Sequence, residues 1–255
     1  MSGNDVGALL LNYILERRTA LGTLPKNPVA VKTIVSTNLV NAIAKDYGCE
    51  LKEVLTGFKF IGEQVLLLEQ KGEEERFIFG FEESYGYLVG NHARDKDGVV
   101  ASMLIAEMAA YYKTKGMSLY EALQDIYKRY GYYCEKTVSI TMPGKDGMEK
   151  MSALLKDLRE NPPVKVSTNK VVLYTDYQSQ TIKDTNGGVK PLKGLPKSNV
   201  LRYDLSDEKT YFIVRPSGTE PKIKIYLGTF ADSTESAEAI IEAVLADLKN
   251  QMGLA

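Results

Sequence analysis

A chain of 255 residues is long for one domain and comfortable for two, and its 44% hydrophobic and 25% charged residues are the proportions of a folded globular protein. A formal net charge of -1 excludes broad electrostatic attraction to nucleic acid or to an anionic membrane surface, but leaves room for a local basic site that binds a small anion. Cys49 and Cys134 make no disulfide framework, the single His92 makes no multi-histidine metal site, and no apolar run reaches the length of a bilayer.

The first apolar stretch has no basic region ahead of it, so the sequence reads as cytoplasmic. Residues 5–18 place Val6, Leu9, Leu10, Tyr13 and Ile14 at helical spacing, which predicts an amphipathic helix. Residues 29–37 are rich in β-branched side chains and predict a buried strand, with Asn38 as the cap of a helix ending near Gly48. A second strand over 49–55 leads into Thr56-Gly57-Phe58-Lys59 and a helix over 61–71. A third strand over 76–81 ends in Glu82-Glu83-Ser84. This alternation predicts a layered α/β domain with crossover connections.

Between Ser84 and Gly98 the pattern breaks into a loop with Gly86, Gly90 and the charges Arg94, Asp95, Lys96 and Asp97, followed by helices over 99–113 and 118–130. From Lys136 onward, short strands over 136–141, 170–175, 200–204, 210–214 and 222–227 stand between turn-rich links. Helices are expected over 148–160 and 233–252. The fold class is therefore α/β, a mixed-sheet three-layer α/β domain followed by a smaller antiparallel α+β domain, with the border near Tyr133 acting as a hinge.

Several constellations are suited to a phosphorylated ligand. Arg215-Pro-Ser-Gly-Thr-Glu-Pro221 sits between two strands: a guanidinium grips two phosphate oxygens, the hydroxyls of Ser217 and Thr219 donate, and Gly218 lets backbone N–H groups approach. Glu82 with Ser84, two residues apart at a strand end, would share a face and offer a carboxylate and a hydroxyl to neighbouring sugar hydroxyls. Lys59, Arg94 and Lys96 form a positive rim. His92 is a weak candidate for proton transfer, and Asp95 and Asp97 read as partners of the nearby cations or as helix caps rather than metal ligands.

Taken in order, Thr56-Gly57-Phe58-Lys59-Phe60-Ile61-Gly62, Gly80-Phe81-Glu82-Glu83-Ser84, Arg94-Asp95-Lys96-Asp97-Gly98 and Arg215-Pro-Ser-Gly-Thr-Glu-Pro221 resemble the α-D-phosphohexomutase family, the phosphoglucomutases and phosphomannomutases, over nearly the whole chain. Members of that family have four domains around one cleft. The resemblance implies that residues 1–133 are the third, sugar-binding domain and 134–255 the C-terminal, phosphate-binding one. Glu82 and Ser84 fall where the family binds sugar hydroxyls, and Arg215, Ser217, Gly218 and Thr219 where it holds the non-reacting phosphate. Thr56, Gly57 and Lys96 match positions that line the same cleft.

The family's phosphoserine loop, of the Thr-Ala-Ser-His-Asn-Pro kind, and its metal loop, of the Asp-Gly-Asp-Ala-Asp-Arg kind, do not occur in the sequence. The resemblance thus implies the C-terminal part of a longer mutase, with Mg2+ bound outside this chain and no catalytic or metal-ligating residue within it. Its partners would be hexose phosphate, hexose bisphosphate and the missing N-terminal domains, and alone it would be inactive. Two alternatives stand beside this reading: a non-catalytic phosphosugar-binding module, and a mutase preferring pentose phosphates.

Overall fold

The computed structural model describes residues 1–142, 146–217 and 220–254. Its contacts divide the chain into two compact units, Met1–Gly131 and Tyr132–Ala255. Among the described residues no helix is long and apolar enough to cross a membrane.

The first unit runs α1 (Gly3–Ala20), β1 (Val29–Thr33), α2 (Leu39–Asp46), β2 (Glu50–Val54), α3 (Phe58–Glu69), β3 (Phe77–Glu82), β4 (Gly86–Val89), α4 (Gly98–Thr114) and α5 (Leu119–Tyr130). The sheet order is β2-β1-β3-β4, with the first three strands parallel and β4 antiparallel to β3. Every residue of β1 and β3 is buried, as strands covered on both faces must be. One face packs Val31, Phe77 and Leu88 against Phe58, Ile61 and Val65 of α3. The other meets α1, which also touches α2, α4 and α5 and is buried nearly all round from Gly7 to Leu15 rather than along one stripe.

Two glycines set the layer spacing. A Cβ on Gly7 would lie 2.4 Å from the Phe81 ring, and one on Gly80 would lie 2.5 Å from Ile61. Helix starts follow the capping rules where the backbone allows: Ser2 with Asp5 and Ser118 with Glu121 form capping boxes on α1 and α5.

The structure corrects three expectations here. The strand expected to reach residue 37 stops at Thr33, because the Ser36 N–H turns back to the Thr33 carbonyl and the Thr37 N–H is taken by Asn4 Oδ1 at 3.0 Å. Asn38 makes no side-chain cap, since its backbone is already helical; its Oδ1 accepts from Lys32 Nζ at 2.6 Å, and Thr37 Oγ1 takes the Leu39 N–H instead. Part of the stretch read as loop, Gly86–Val89, is a strand, β4, which closes a tight hairpin on Glu82.

The second unit runs β5 (Tyr132–Thr141), α6 (Gly147–Glu160), β6 (Lys165–Val166), β7 (Asn169–Asp176), β8 (Thr181–Asp184), β9 (Val189–Pro191), β10 (Leu201–Leu205), β11 (Tyr211–Pro216), β12 (Lys222–Ala231) and α7 (Thr234–Gln251). Its sheet, β5-β12-β11-β10-β7-β8-β9 with β6 on β7, is antiparallel throughout. Tyr174, Tyr203 and Phe212 stack in a row across β7, β10 and β11, and Leu155 of α6 and Ile241 and Leu248 of α7 complete the core.

Each fully buried aliphatic or aromatic side chain of this kind contributes roughly 1.5–3 kcal/mol. β5 begins four residues earlier than expected: Tyr132–Cys134 pair with Ala231–Thr229, and Tyr133 stacks on Phe230 at 5.0 Å. The first unit ends at Gly131, the residue that closes α5 with φ 104°.

Candidate functional site

In a sheet of order β2-β1-β3-β4 the chain leaves β1 to one side and returns past it to β3. The carboxyl ends of β1 and β3 therefore flank the crevice where α/β folds bind ligands. Glu82 is the last residue of β3 at that end. It is only 8% exposed, and its Oε1 accepts the Gly57 N–H at 2.9 Å, which ties the tip of β3 to the start of α3. Gly57 holds φ 127°, a conformation that favours glycine, so its amide can turn toward the carboxylate.

One oxygen of Glu82 is thus committed to the scaffold, and Oε2 is left toward Gly86, where a Cβ would come within 3.3 Å of it. Thr56, next to Gly57, carries a buried Oγ1 with no hydrogen-bond partner among the described residues. A buried hydroxyl without a partner is uncommon and calls for an explanation.

Lys96 comes to the same place from a distant part of the sequence. Its side chain runs over Gly86, where a Cβ would sit 2.8 Å from Lys96 Cδ, and its Nζ lies 5.0 Å from the Phe58 ring centroid. The loop that carries it is held at several points. The Asp97 N–H donates to the Tyr87 carbonyl, Asp97 Oδ1 caps α4 through the Val99 and Val100 N–H groups, and Asp97 Oδ2 meets His92 Nε2 at 2.9 Å. The His92 hydrogen bond first, then the Val100 amide, holds the Asp97 carboxyl below the usual aspartate range. Asp95 pairs with Lys96 Nζ at 2.9 Å. The two aspartates therefore act as partner and cap, and His92 bonds a carboxylate rather than backbone.

The remaining candidates of this unit are less closely gathered. Ser84 does not share a strand face with Glu82, because β3 ends at Glu82 and residues 83–85 form the turn that Gly86 closes; Ser84 is exposed there. Tyr85 completes that turn at φ 65°, and Gly3 packs so tightly beneath it that a Cβ would lie 2.0 Å from the Glu83 carbonyl oxygen. Lys59 is exposed, with Nζ 4.9 Å from the Phe60 ring. Arg94 bonds Glu69 at 2.6 Å and the carbonyls of Asn91 and Ala93, so its guanidinium fastens the loop to α3.

Sequence reasoning missed Lys32, which is 1% exposed. It meets Glu53 at 3.1 Å and Asn38 at 2.6 Å, and it pins the segment that leaves β1 at the crevice. A lysine inside a β-branched run was its one visible trace.

In the second unit Arg215 is the penultimate residue of β11, half-buried and opposite Lys224 of β12. Among the described residues no carboxylate pairs with its guanidinium. Two adjacent cations without acid partners on one sheet face make a place that favours an anion. The Ser217 N–H returns to the Lys222 carbonyl at 2.7 Å, and the Pro221 carbonyl accepts the Met142 N–H at 2.8 Å, so both feet of the hairpin are fixed. Gly147 lets α6 start against that base, since a Cβ would meet the Met142 carbonyl at 2.1 Å. Gly218 and Thr219 lie outside the described residues.

This arrangement can be set beside known proteins. Residues 2–130 match the family description "Phosphoglucomutase/phosphomannomutase, alpha/beta/alpha domain III". The chain belongs to the phosphoglucomutase/phosphomannomutase family. It is 38% identical over 248 residues to a phosphoglucomutase of Staphylococcus aureus (strain bovine RF122 / ET3-1), covering 94% of this chain and 43% of that protein. It is 34% identical over 233 residues to one from Staphylococcus haemolyticus (strain JCSC1435), covering 91% and 41%. The chain thus spans less than half the length of these relatives.

Among solved structures, the open form of pp63/parafusin, a phosphoglucomutase from Paramecium, matches with TM-score 0.61 at 22% identity over 99% of this chain and 42% of that one. A phosphoglucomutase/phosphomannomutase family protein from Burkholderia thailandensis matches with TM-score 0.56 at 14% identity, over 98% and 42%. At such identities these two structures speak for the fold.

Proposed function

We propose that this chain is the sugar-reading and phosphate-holding part of a mutase that interconverts hexose 1-phosphate and hexose 6-phosphate through a bisphosphate. The observation that carries the reading is the buried Glu82 carboxylate, held at the carboxyl edge of the sheet by the Gly57 N–H with Lys96 laid across Gly86 beside it.

In this reading Glu82 Oε2 accepts from a ring hydroxyl, and the unmatched Thr56 hydroxyl and Ser84 complete the set. Lys96 and Lys59 balance ligand charge, and Arg94 fastens to α3 the loop that carries Lys96. Arg215, Ser217, Gly218 and Thr219 hold the phosphate that is not being transferred. A clamp that does not touch the reacting bond serves both orientations of the bisphosphate. Its contribution is positioning, which in phosphoryl transfer is a large share of catalysis.

The transferring phosphoserine and the Mg2+ that neutralises its charge are assigned to preceding domains. Among the described residues no group of three or more His, Cys, Asp or Glu could hold a metal ion. Alone, the chain binds glucose 6-phosphate weakly and turns over none. Calorimetry together with a coupled mutase assay tests both halves of the statement. Sustained turnover by the purified chain, or no binding of glucose 6-phosphate at all, overturns it.

A further inference from the structure

α4 is apolar on the face it buries and on the face it shows. Inward, Ala101, Met108 and Tyr112 are buried, with Val100, Leu104 and Ile105 half-buried beside them. Outward, Val99, Met103, Ala106 and Ala110 follow one another at spacings that put them on one stripe, and all are exposed. Val99 is 81% exposed and Met103 62%, and no charged residue occurs from Gly98 to Ala106.

A helix that is apolar all round is normally buried all round. α1 shows this within the same unit, where β3, α2, α4 and α5 surround it. α4 has the same kind of sequence without the cover. Single exposed apolar residues need no explanation, but a stripe from Val99 to Ala110, about 16 Å of helix, is a contiguous patch of the kind that marks an interface.

The stripe begins at the ligand crevice, because Val99 directly follows the Lys96 loop and its N–H is capped by Asp97 Oδ1. Met1 is at that end too: the Tyr85 hydroxyl, in the turn beyond Glu82, donates to the Met1 carbonyl at 3.4 Å, and Gly3 packs beneath Glu83. The family description that fits residues 2–130 is a domain III, and the matched Staphylococcus aureus phosphoglucomutase is covered for only 43% of its length. More than half of that relative lies outside the shared region, room for further domains of this size. The transferring group assigned above to preceding domains has to arrive at Glu82 and Lys96, at the end of the sheet where the stripe starts.

We propose that the outer face of α4, formed by Val99, Met103, Ala106 and Ala110, seats the domain that precedes domain III in the longer relatives, which meets it with an uncharged face of its own. The inference rests on the reading that the transferring group comes from that side, but it concerns a protein surface and not a ligand.

Met103→Cys, labelled with a maleimide, reports whether this face is covered. The rate is measured on the whole chain alone and on the whole chain joined at Met1 to the part of the S. aureus phosphoglucomutase ahead of the shared region, with the unsubstituted proteins as blanks for Cys49 and Cys134. Labelling should slow at least about tenfold in the joined protein. Met103→Glu should leave the Tm of the chain alone where it is, because the side chain is exposed, and lower that of the joined protein. Equally fast labelling in both proteins, or equal Tm effects in both, overturns the proposal. Slow labelling in the chain alone with a dimer mass in light scattering also overturns it, by making a second copy the occupant. No sugar phosphate is present, so a failure here is distinct from a failure of Glu82 or Arg215 to bind one.

Discussion

Glu82, Gly57 and Lys96 show how much of a site is decided by single positions. The sequence displayed Glu82 because it stands at the end of an apolar run, where a carboxylate has no packing reason to be. It could not display that one carboxylate oxygen is taken by the Gly57 amide 25 residues away, since that bond depends on a glycine held at positive φ. Asn38 failed as a cap for a similar reason: capping depends on an extended backbone, and Asn38 is helical.

Gly86 offers a test at this scale. A methyl group there would press on the flexible stem of Lys96 and sit 3.3 Å from Glu82 Oε2, without meeting backbone. Gly86→Ala should cost less than about 1 kcal/mol in stability, because Lys96 can swing aside. It should nevertheless weaken glucose 6-phosphate binding several-fold, as read by thermal unfolding and calorimetry on the same sample.

At the scale of elements, strands and helices with strong periodicity were legible, and short hairpin strands were not. β4 escaped because its turn has neither Asn-Gly nor Asp-Gly. The left-handed position is filled by Tyr85 at φ 65°, which no turn rule favours. β8 and β9 are four and three residues long, too short for an alternation to appear.

The cap of α4 carries a pH prediction. The Asp97 carboxyl is depressed in the folded chain by His92 and the Val100 and Val99 amides, so its stabilisation is fully present above the ordinary aspartate range, about 4, and is lost as pH falls through the depressed value. The Tm difference between wild type and Asp97→Ala should therefore be constant near neutrality and shrink in acid below the ordinary range. A difference that stays constant into strong acid would remove the cap from the account.

At the scale of the whole molecule, composition announced two cores, and ordered motifs announced the family. The position of the joint was less visible, because Tyr132–Cys134 look like a link until Phe230 and Ala231 are known to pair with them. Gly131, which ends α5 at φ 104°, is the last residue of the first unit. Gly131→Ala, strained by roughly 1–3 kcal/mol at that φ, should lower Tm in thermal unfolding.

The central proposal is that Glu82 reads sugar hydroxyls and Arg215 holds phosphate, and calorimetry of glucose 6-phosphate against Glu82→Gln, Arg215→Ala and inorganic phosphate tests it most directly. Each substitution should weaken glucose 6-phosphate about tenfold or more, the loss expected for one charge-assisted hydrogen bond, while inorganic phosphate should respond to Arg215→Ala and not to Glu82→Gln. Unchanged glucose 6-phosphate affinity in Arg215→Ala would contradict it.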